Sequence, residues 1–313
     1  MSEFGNQILG RAILDEVKQS YQGFRAAFSN LSRKIAIIRF EPRVDAPQLD
    51  RSRYEAAAIS SRQKIKTFNF LGCQTDEYVK SSLFSKQEFE DLLARLNQDE
   101  STTGIIVQLP VPLELRPTLA FAIAPEKDLD ALGSSPSLFP ICATAEGIVR
   151  IVEPFVSPDS IVAVVGHLGF VGRGIVERLS QKAINYIGLE RDDDLTPIRD
   201  TDLVISATGQ PEILDERHLT PYHRLVVDSG FTPIKGEIFG DVKKSAYSIV
   251  QNITPVPGGT GPIEMAILME RIVRKEINPN LQPWTYSAPS YRTRAEVEAI
   301  LQQQRQSQPD LEL

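Results

Sequence analysis

The sequence has few of the residues that metal centres and covalent catalysis require. Its 313 residues include only two cysteines and three histidines. Two cysteines are too few for a disulfide framework or a zinc cluster, and no histidine pair has the H-x-x-x-H or H-E-x-x-H spacing of a catalytic zinc site. The G-x-S-x-G turn of serine hydrolases is also missing. We therefore expect chemistry without a bound metal and without a serine nucleophile.

The sequence also lacks an excess of positive charge and any long hydrophobic run. The 34 Lys and Arg residues are outnumbered by 41 Asp and Glu residues, which gives a net charge of −7 and argues against general nucleic-acid binding. The longest apolar runs are strand-length, whereas a membrane-spanning helix needs about 20 apolar residues. Residues 1–10 lack the features of a secretory signal. We expect no nucleic-acid partner, no membrane and a cytoplasmic location, with an organelle as the alternative.

Short apolar segments alternate with longer helical ones along the chain, which is typical of an α/β protein with a parallel sheet. The tail from residue 278 is polar, and its LQQQRQSQ segment indicates a solvated, partly helical end. The predicted strands are 34–40, 104–109, 161–165, 185–189, 203–207 and 225–228, and the predicted helices are 50–71, 174–182 and 264–275.

The length fits about two domains. The pattern of elements changes near residues 145–158, which places the boundary there. We predict an N-terminal α/β catalytic domain over residues 1–147, joined by the C-terminal helix and tail at 264–313. A Rossmann-type nucleotide-binding domain with a parallel sheet then covers residues 148–263, and a cleft separates the two lobes.

The strongest local motif is a glycine-rich turn between a strand and a helix. Residues 161–172 have the sequence IVAVVGHLGFVG. Free N–H groups and the helix dipole make such a helix start suitable for a pyrophosphate. The spacing is G-x-x-G-x-x-G instead of G-x-G-x-x-G, so a turn without a ligand remains the alternative if the motif is taken alone.

Two neighbouring features favour a dinucleotide site. Glu190 ends the next strand, where a carboxylate can accept a hydrogen bond from the ribose 2′-hydroxyl. A Ser-Ala-Thr-Gly segment follows a third strand, as expected of a loop beneath the nicotinamide ribose. The predicted cofactor-binding residues are Gly166, His167, Leu168, Gly169, Val171, Gly172, Glu190, Arg191, Ala207, Thr208 and Gly209.

Four further motifs go beyond a generic nucleotide-binding domain. They are GIIVQLP at 104–110, APEKDLDAL at 124–132, GDV at 240–242 and ITPVPGGTGP at 253–262. In this order and spacing, the sequence resembles the methylenetetrahydrofolate dehydrogenase/methenyltetrahydrofolate cyclohydrolase family over roughly residues 8–275. The resemblance implies an NAD(P)-dependent enzyme that oxidises the one-carbon bridge of methylenetetrahydrofolate in a cleft between two lobes. Many such enzymes also hydrolyse the methenyl product, and a homodimer is expected on the resemblance alone.

The resemblance also assigns roles to individual residues. The family's catalytic lysine falls on Lys64, its glutamine on Gln108 and its aspartate on Asp130. A lysine is readily tuned by burial, and Gln108 is expected to hydrogen-bond it or to position water. Asp130 can accept hydrogen bonds from the N–H groups of a pterin. On the resemblance, a rigid loop closes over the pterin and the nicotinamide through Pro257, Gly258, Gly259 and Pro262.

The sequence departs from the family pattern at three places that matter. Ser60 stands where the family has a tyrosine, one helical turn before Lys64, which puts folate affinity and cyclohydrolase activity in question. Glu264 stands where the family has a threonine and places a charge near the substrate. At the end of the second nucleotide-domain strand, Glu190 would repel the 2′-phosphate of NADP while Arg191 would partly offset that, so we favour NAD.

Three functions are therefore open. The first is an NAD(P)-dependent methylenetetrahydrofolate dehydrogenase with doubtful cyclohydrolase activity. The second is an oxidoreductase of the same fold that acts on another pterin-like or iminium substrate, which the serine and glutamate replacements favour. The third is a non-catalytic protein that binds folate or nucleotide, and the presence of Lys64 with Gln108 argues against it because folding requires neither.

Overall fold

The computed structural model describes residues 4–133 and 137–307, so the predicted domain ends at 1–3 and 308–313 lie outside the described residues. Helices and strands alternate as the sequence predicts for an α/β protein. The helices are α1 Gly10–Tyr21, α2 Arg25–Leu31, α3 Gln48–Leu71, α4 Lys86–Gln98, α5 Arg116–Ala122, α6 Ala143–Val152, α7 Phe170–Gln181, α8 Thr260–Glu276 and α9 Arg294–Ser307. The strands are β1 Asn6–Gln7, β2 Lys34–Glu41, β3 Gln74–Ser81, β4 Thr102–Val107, β5 Ile161–Val165, β6 Asn185–Leu189, β7 Leu203–Ser206, β8 Leu225–Asp228, β9 Thr232–Ile234, β10 Glu237–Phe239 and β11 Asn252–Thr254.

The N-terminal lobe is built on a parallel sheet with the strand order β3-β2-β4. Successive side chains of β2 are buried on both faces. Ile35 and Ile37 join a core with α1, α3 and α8, and Ala36 and Ile38 join a second core with α4. A parallel strand that is covered on both faces has a continuous apolar sequence instead of an alternating one. This explains the KIAIIRF pattern that marks the strand in the sequence.

The second lobe is a parallel sheet with the order β1-β11-β8-β7-β5-β6. From β5 the chain passes to β6 on one side and then to β7 on the other. Such a reversal of strand order opens a crevice at the carboxyl ends of the strands, where doubly wound proteins bind nucleotides. The glycine-rich turn after β5 lies at this point. The sheet order therefore places the turn where a cofactor site is expected.

Two predicted helices begin four residues earlier than the sequence indicates. Helix α7 starts at Phe170 instead of 174, and α8 starts at Thr260 instead of 264. In each case a glycine directly before the helix, Gly169 or Gly259, is the N-cap residue. Position 172 lies in the first turn of α7. It requires glycine because a Cβ there would lie 2.0 Å from the carbonyl oxygen of Gly166. The strand predicted at 104–109 is β4, which spans Thr102–Val107, so the prediction begins and ends two residues too late.

Both chain ends pack against the second lobe. Strand β1 pairs with β11, so the N-terminus adds an edge to the second sheet. In the tail, Trp284 and Tyr291 pack against the core of the second lobe, and the Tyr291 ring lies 5.5 Å from that of Phe155. These aromatic side chains cover apolar surface. The LQQQRQSQ segment that was predicted to be solvated lies further along the chain, where Gln302, Gln303 and Gln306 of α9 are exposed. The predicted domain boundary itself stays a prediction.

No helix among residues 4–133 and 137–307 has the length and apolar character needed to cross a membrane.

Candidate active site

A cavity of about 590 Å³ lies between α3, the end of β4, the loop before α8 and the start of α7. It brings together residues that are more than 200 positions apart in the sequence. The residues of the predicted folate and cofactor sites that line it are Ser60, Gln108, Asp130, Val171, Pro257, Gly258, Gly259, Pro262 and Glu264.

Lys64 lies behind this lining and is 1% exposed. Its Nζ donates to Ser60 Oγ at 2.8 Å and to Glu264 Oε1 at 2.5 Å. The serine that stands at the family's tyrosine position thus contacts the lysine directly. A buried ammonium is destabilised unless it is paired and hydrogen-bonded, and these two contacts meet that requirement.

Asp130 lies at the same end of the cavity and is held by the backbone. Its Oδ1 accepts a hydrogen bond of 2.8 Å from the N–H of Ala143, at the start of α6. Burial and the Glu264 carboxylate raise the pKa of Asp130 and the Lys64 ammonium lowers it, and the net effect is a pKa raised to about 6. The three charged groups therefore form one electrostatic unit.

Gln108 follows β4 directly, and its backbone N–H donates to Ile38 O at 2.8 Å. We expected its side chain to hydrogen-bond Lys64, but the lysine contacts Ser60 and Glu264 instead. The Nε2 atom of Gln108 is buried and has no hydrogen-bond partner among the residues that the structure describes. A buried donor without a partner is costly in the free protein, so a ligand that accepts its hydrogen bond has an energetic advantage.

The glycine-rich turn has the shape that a phosphate cradle needs. Gly166 has a φ of +84°, and a Cβ on it would lie 2.9 Å from Ala207 O. Gly169 begins α7, so the first N–H groups of that helix point toward the turn. The residues present therefore fit a dinucleotide. Phe170 and Val171 continue from the turn into the lining of the cavity.

Glu190 is tied to this turn. Its Oε1 accepts a hydrogen bond of 2.8 Å from the N–H of Leu168 and lies 3.3 Å from His167 Nδ1. The His167 ring packs over Gly188, where a side chain would meet the ring at 2.6 Å. Arg191 instead pairs with Asp192 at 3.4 Å. The negative charge next to the turn is thus fixed in place, whereas the arginine that was expected to offset it is directed to another carboxylate.

The predicted Ser-Ala-Thr-Gly loop is anchored by a residue that the sequence analysis did not select. Asp241 Oδ2 accepts hydrogen bonds from Ser206 Oγ, Thr208 N and Thr208 Oγ1 at 2.7 to 2.9 Å. Asp228 lies close by, and its carboxylate accepts from the N–H groups of Gly230, Asp241 and Val242. Burial and the neighbouring Asp241 raise the pKa of Asp228 to about 8. The GDV motif signalled this anchor, but only the fold shows its partners.

Comparison with known proteins identifies the family. The catalytic-domain model of the tetrahydrofolate dehydrogenase/cyclohydrolase family matches residues 8–130, and its NAD(P)-binding-domain model matches residues 142–278. The chain belongs to this family. It is 31% identical to the bifunctional protein FolD of Methanosarcina barkeri, over 70% of this chain and 80% of that protein. It is 30% identical to the mitochondrial C-1-tetrahydrofolate synthase of Schizosaccharomyces pombe. That match covers 85% of this chain but only 28% of the longer synthase.

A solved structure agrees with the fold. The bifunctional FolD enzyme of Campylobacter jejuni superposes with a TM-score of 0.72 at 24% identity, over 86% of this chain and 98% of that one. The family and the two-lobed α/β fold predicted from the sequence are confirmed. The predicted general function, that of an NAD(P)-dependent methylenetetrahydrofolate dehydrogenase, is confirmed as well. Within residues 4–133 and 137–307, no group of three or more His, Cys, Asp or Glu side chains is placed to hold a metal ion.

Proposed function

We propose that the protein oxidises 5,10-methylenetetrahydrofolate with NAD in preference to NADP, and that its cyclohydrolase activity is weak. The observation that carries this proposal is the shared cavity. One side holds the Lys64–Ser60–Glu264 group with Gln108 and Asp130, and the other begins at the glycine-rich turn.

The chain's own residues supply binding and orientation. Asp130 offers a carboxylate to the N–H edge of the pterin, and Gln108 offers its unpaired Nε2 donor to a folate oxygen or nitrogen. The first turn of α7 would hold the pyrophosphate, and the loop held by Asp241 would hold the nicotinamide ribose. A bound nicotinamide would supply the acceptor for the hydride that leaves the folate. Hydride transfer requires the folate and the nicotinamide to be held face to face, so the main contribution of the protein to this step is to position the two.

The preference for NAD is supported by Glu190. Its carboxylate is held at the turn by the Leu168 N–H, at the end of the strand where an acidic residue pairs with the ribose hydroxyls of NAD. A 2′-phosphate at this place would meet a fixed negative charge. Arg191, which would offset it, pairs with Asp192.

Weak cyclohydrolase activity is supported by the contacts of Lys64. Hydrolysis of the methenyl cation requires proton movement around the attacking water, and a general acid or base must reach that water. The lysine is 1% exposed, and Glu264 and Ser60 stand between it and the cavity. The side chain of Ser60 is also shorter than the family's tyrosine side chain, and it has no ring that could stack on the substrate.

Two assays test the proposal. The first compares kcat/KM for NAD and NADP with methylenetetrahydrofolate, and a clear preference for NADP contradicts the cofactor choice. The second follows the decay of the methenyl absorbance with and without the protein. Rapid decay that is unchanged in Ser60→Tyr contradicts the weak hydrolysis. Tight binding of both ligands without oxidation would favour a binding protein, and oxidation of a different iminium substrate would favour the second alternative.

The homodimer and the cytoplasmic location also remain proposals. Light scattering at several protein concentrations tests the first, and localisation of a tagged full-length chain tests the second.

A further inference from the structure

Glu264 changes the charge of the folate site. It stands where the family has a threonine, in the first turns of α8, and its side chain is 13% exposed. Its Oε1 lies 2.5 Å from the Nζ of Lys64, a residue on α3 that is 200 positions away. This is a nearly buried ion pair, and one member of it lines the cavity.

The charges at this side of the cavity can be counted. Lys64 contributes a positive charge, and Glu264 contributes a negative one. Asp130 adds a second negative charge above its pKa of about 6. These three groups therefore sum to −1, whereas a threonine at position 264 would leave them at 0. Because the pair is shielded from water, this difference acts on a ligand more strongly than a surface charge would.

The proposed reaction creates charge at the same place. The C–H bond of the bridging methylene carbon breaks, and both of its electrons leave with the hydrogen as hydride. Oxidised nicotinamide accepts that hydride and is reduced. The carbon is oxidised, so a neutral bridge becomes the methenyl cation without gain or loss of any other atom. A site accelerates such a step when it binds the charged transition state more tightly than the neutral substrate.

We propose that Glu264 is a charge-setting residue: it cancels the charge of Lys64 and makes the site more negative by one charge than a threonine would, so that the site favours the methenyl cation over folates whose pterin and bridge are uncharged. This inference rests on the proposed function. It assigns to Glu264 an electrostatic task that the threonine of the family pattern cannot perform. It also gives Lys64 a task that differs from general base catalysis, since the paired ammonium mainly holds the carboxylate in place.

The test compares a folate that carries a positive charge on its one-carbon bridge with one that does not. Dissociation constants for methenyltetrahydrofolate and for tetrahydrofolate are measured by rapid-mixing fluorescence, before the methenyl form hydrolyses. In Glu264→Gln, which keeps the side chain's length and an acceptor for Lys64, we expect affinity for the cation to fall about tenfold more than affinity for tetrahydrofolate. In parallel, kcat for oxidation should fall by about the same factor while KM for methylenetetrahydrofolate stays within about threefold.

A second variant makes the opposite prediction. Lys64→Met removes the positive charge and should increase the preference for the cation over tetrahydrofolate, even if both affinities decline. Glu153→Gln is the control for loss of one carboxylate charge, because Glu153 pairs with Lys182 at 2.7 Å on the surface, outside this cavity. It should change neither affinity. Thermal unfolding of each variant establishes that it is folded.

The outcomes separate the inference from the function on which it depends. An equal loss of affinity for both ligands in Glu264→Gln, or an unchanged preference for the cation over tetrahydrofolate in both variants, would overturn the charge-setting role. The proposed dehydrogenase activity would not be affected by that result. A native protein that binds neither folate would overturn the proposed function and this inference together. If Glu264→Gln does not fold, the direction of the change in Lys64→Met decides the matter.

Discussion

Replacing Glu190 with glutamine should weaken discrimination against NADP. The carboxylate accepts from Leu168 N at 2.8 Å and lies 3.3 Å from His167 Nδ1, so it has a defined position beside the turn. Glutamine has the same length and keeps an oxygen that can accept from Leu168. The substitution therefore removes the charge and leaves the geometry of the turn intact.

The size of the effect follows from the charges and their exposure. A 2′-phosphate carries a charge of roughly −1.5 to −2 at pH 7. Two unit charges about 5 Å apart repel each other by about 3 kcal/mol at an effective dielectric constant near 20. The Glu190 side chain is 34% exposed, so water screens part of this repulsion. We expect about 1–2 kcal/mol to remain, a roughly 5- to 30-fold change in relative kcat/KM.

The assay measures the ratio of kcat/KM for NADP to that for NAD in the native protein and in the variant. Asp192→Asn is the control, because that side chain carries the same charge nearby but is 86% exposed and pairs with Arg191. The control should leave the ratio nearly unchanged. If Glu190→Gln changes the ratio by less than about twofold, or if the control changes it equally, then a fixed charge at the turn does not determine cofactor choice.

Three further results are expected. Gly172→Ala places a Cβ 2.0 Å from Gly166 O and should abolish NAD binding in calorimetric titrations, whereas Gly23→Ala, with no atom within 4 Å of its Cβ, should not. Gln108→Leu removes a buried donor that lacks a partner, so the melting temperature should be unchanged or higher while KM for folate rises about tenfold. Because the carboxylate form of Asp130 accepts the pterin N–H groups and its pKa is raised to about 6, KM for folate should increase as the pH falls through 6, and Asp130→Asn should remove this dependence.

The sequence is most informative where a backbone shape requires particular residues. The glycines of the turn could be identified because Gly166 adopts a positive φ and Gly172 approaches another carbonyl too closely for any side chain. The start of α7 could not be identified, since a glycine in its first turn resembles loop sequence. The same steric demand that reveals the turn therefore obscures the helix boundary beside it.

The tail shows a different limit of sequence reasoning. Its polar composition gives no sign that the segment before α9 is anchored, yet Trp284 N donates to Glu270 Oε2 at 3.0 Å, and Arg292 N donates to Gln251 Oε1 at 2.7 Å. Single aromatic residues in a polar segment form no periodic pattern. Their burial depends on an apolar surface supplied by distant elements, and that surface becomes visible only when the second lobe is assembled.

The charged residues of the folate site illustrate why substitutions must be interpreted in pairs. Taken alone, a glutamate in place of a threonine suggests a changed substrate, and a serine in place of a tyrosine suggests a lost contact. In the structure both side chains bind the same ammonium, Nζ of Lys64. Removing either partner would leave a buried charge less well paired, so the two positions are energetically coupled through the lysine. The departures from the family pattern thus act as one rearranged site around Lys64, and their effects on activity should not be additive.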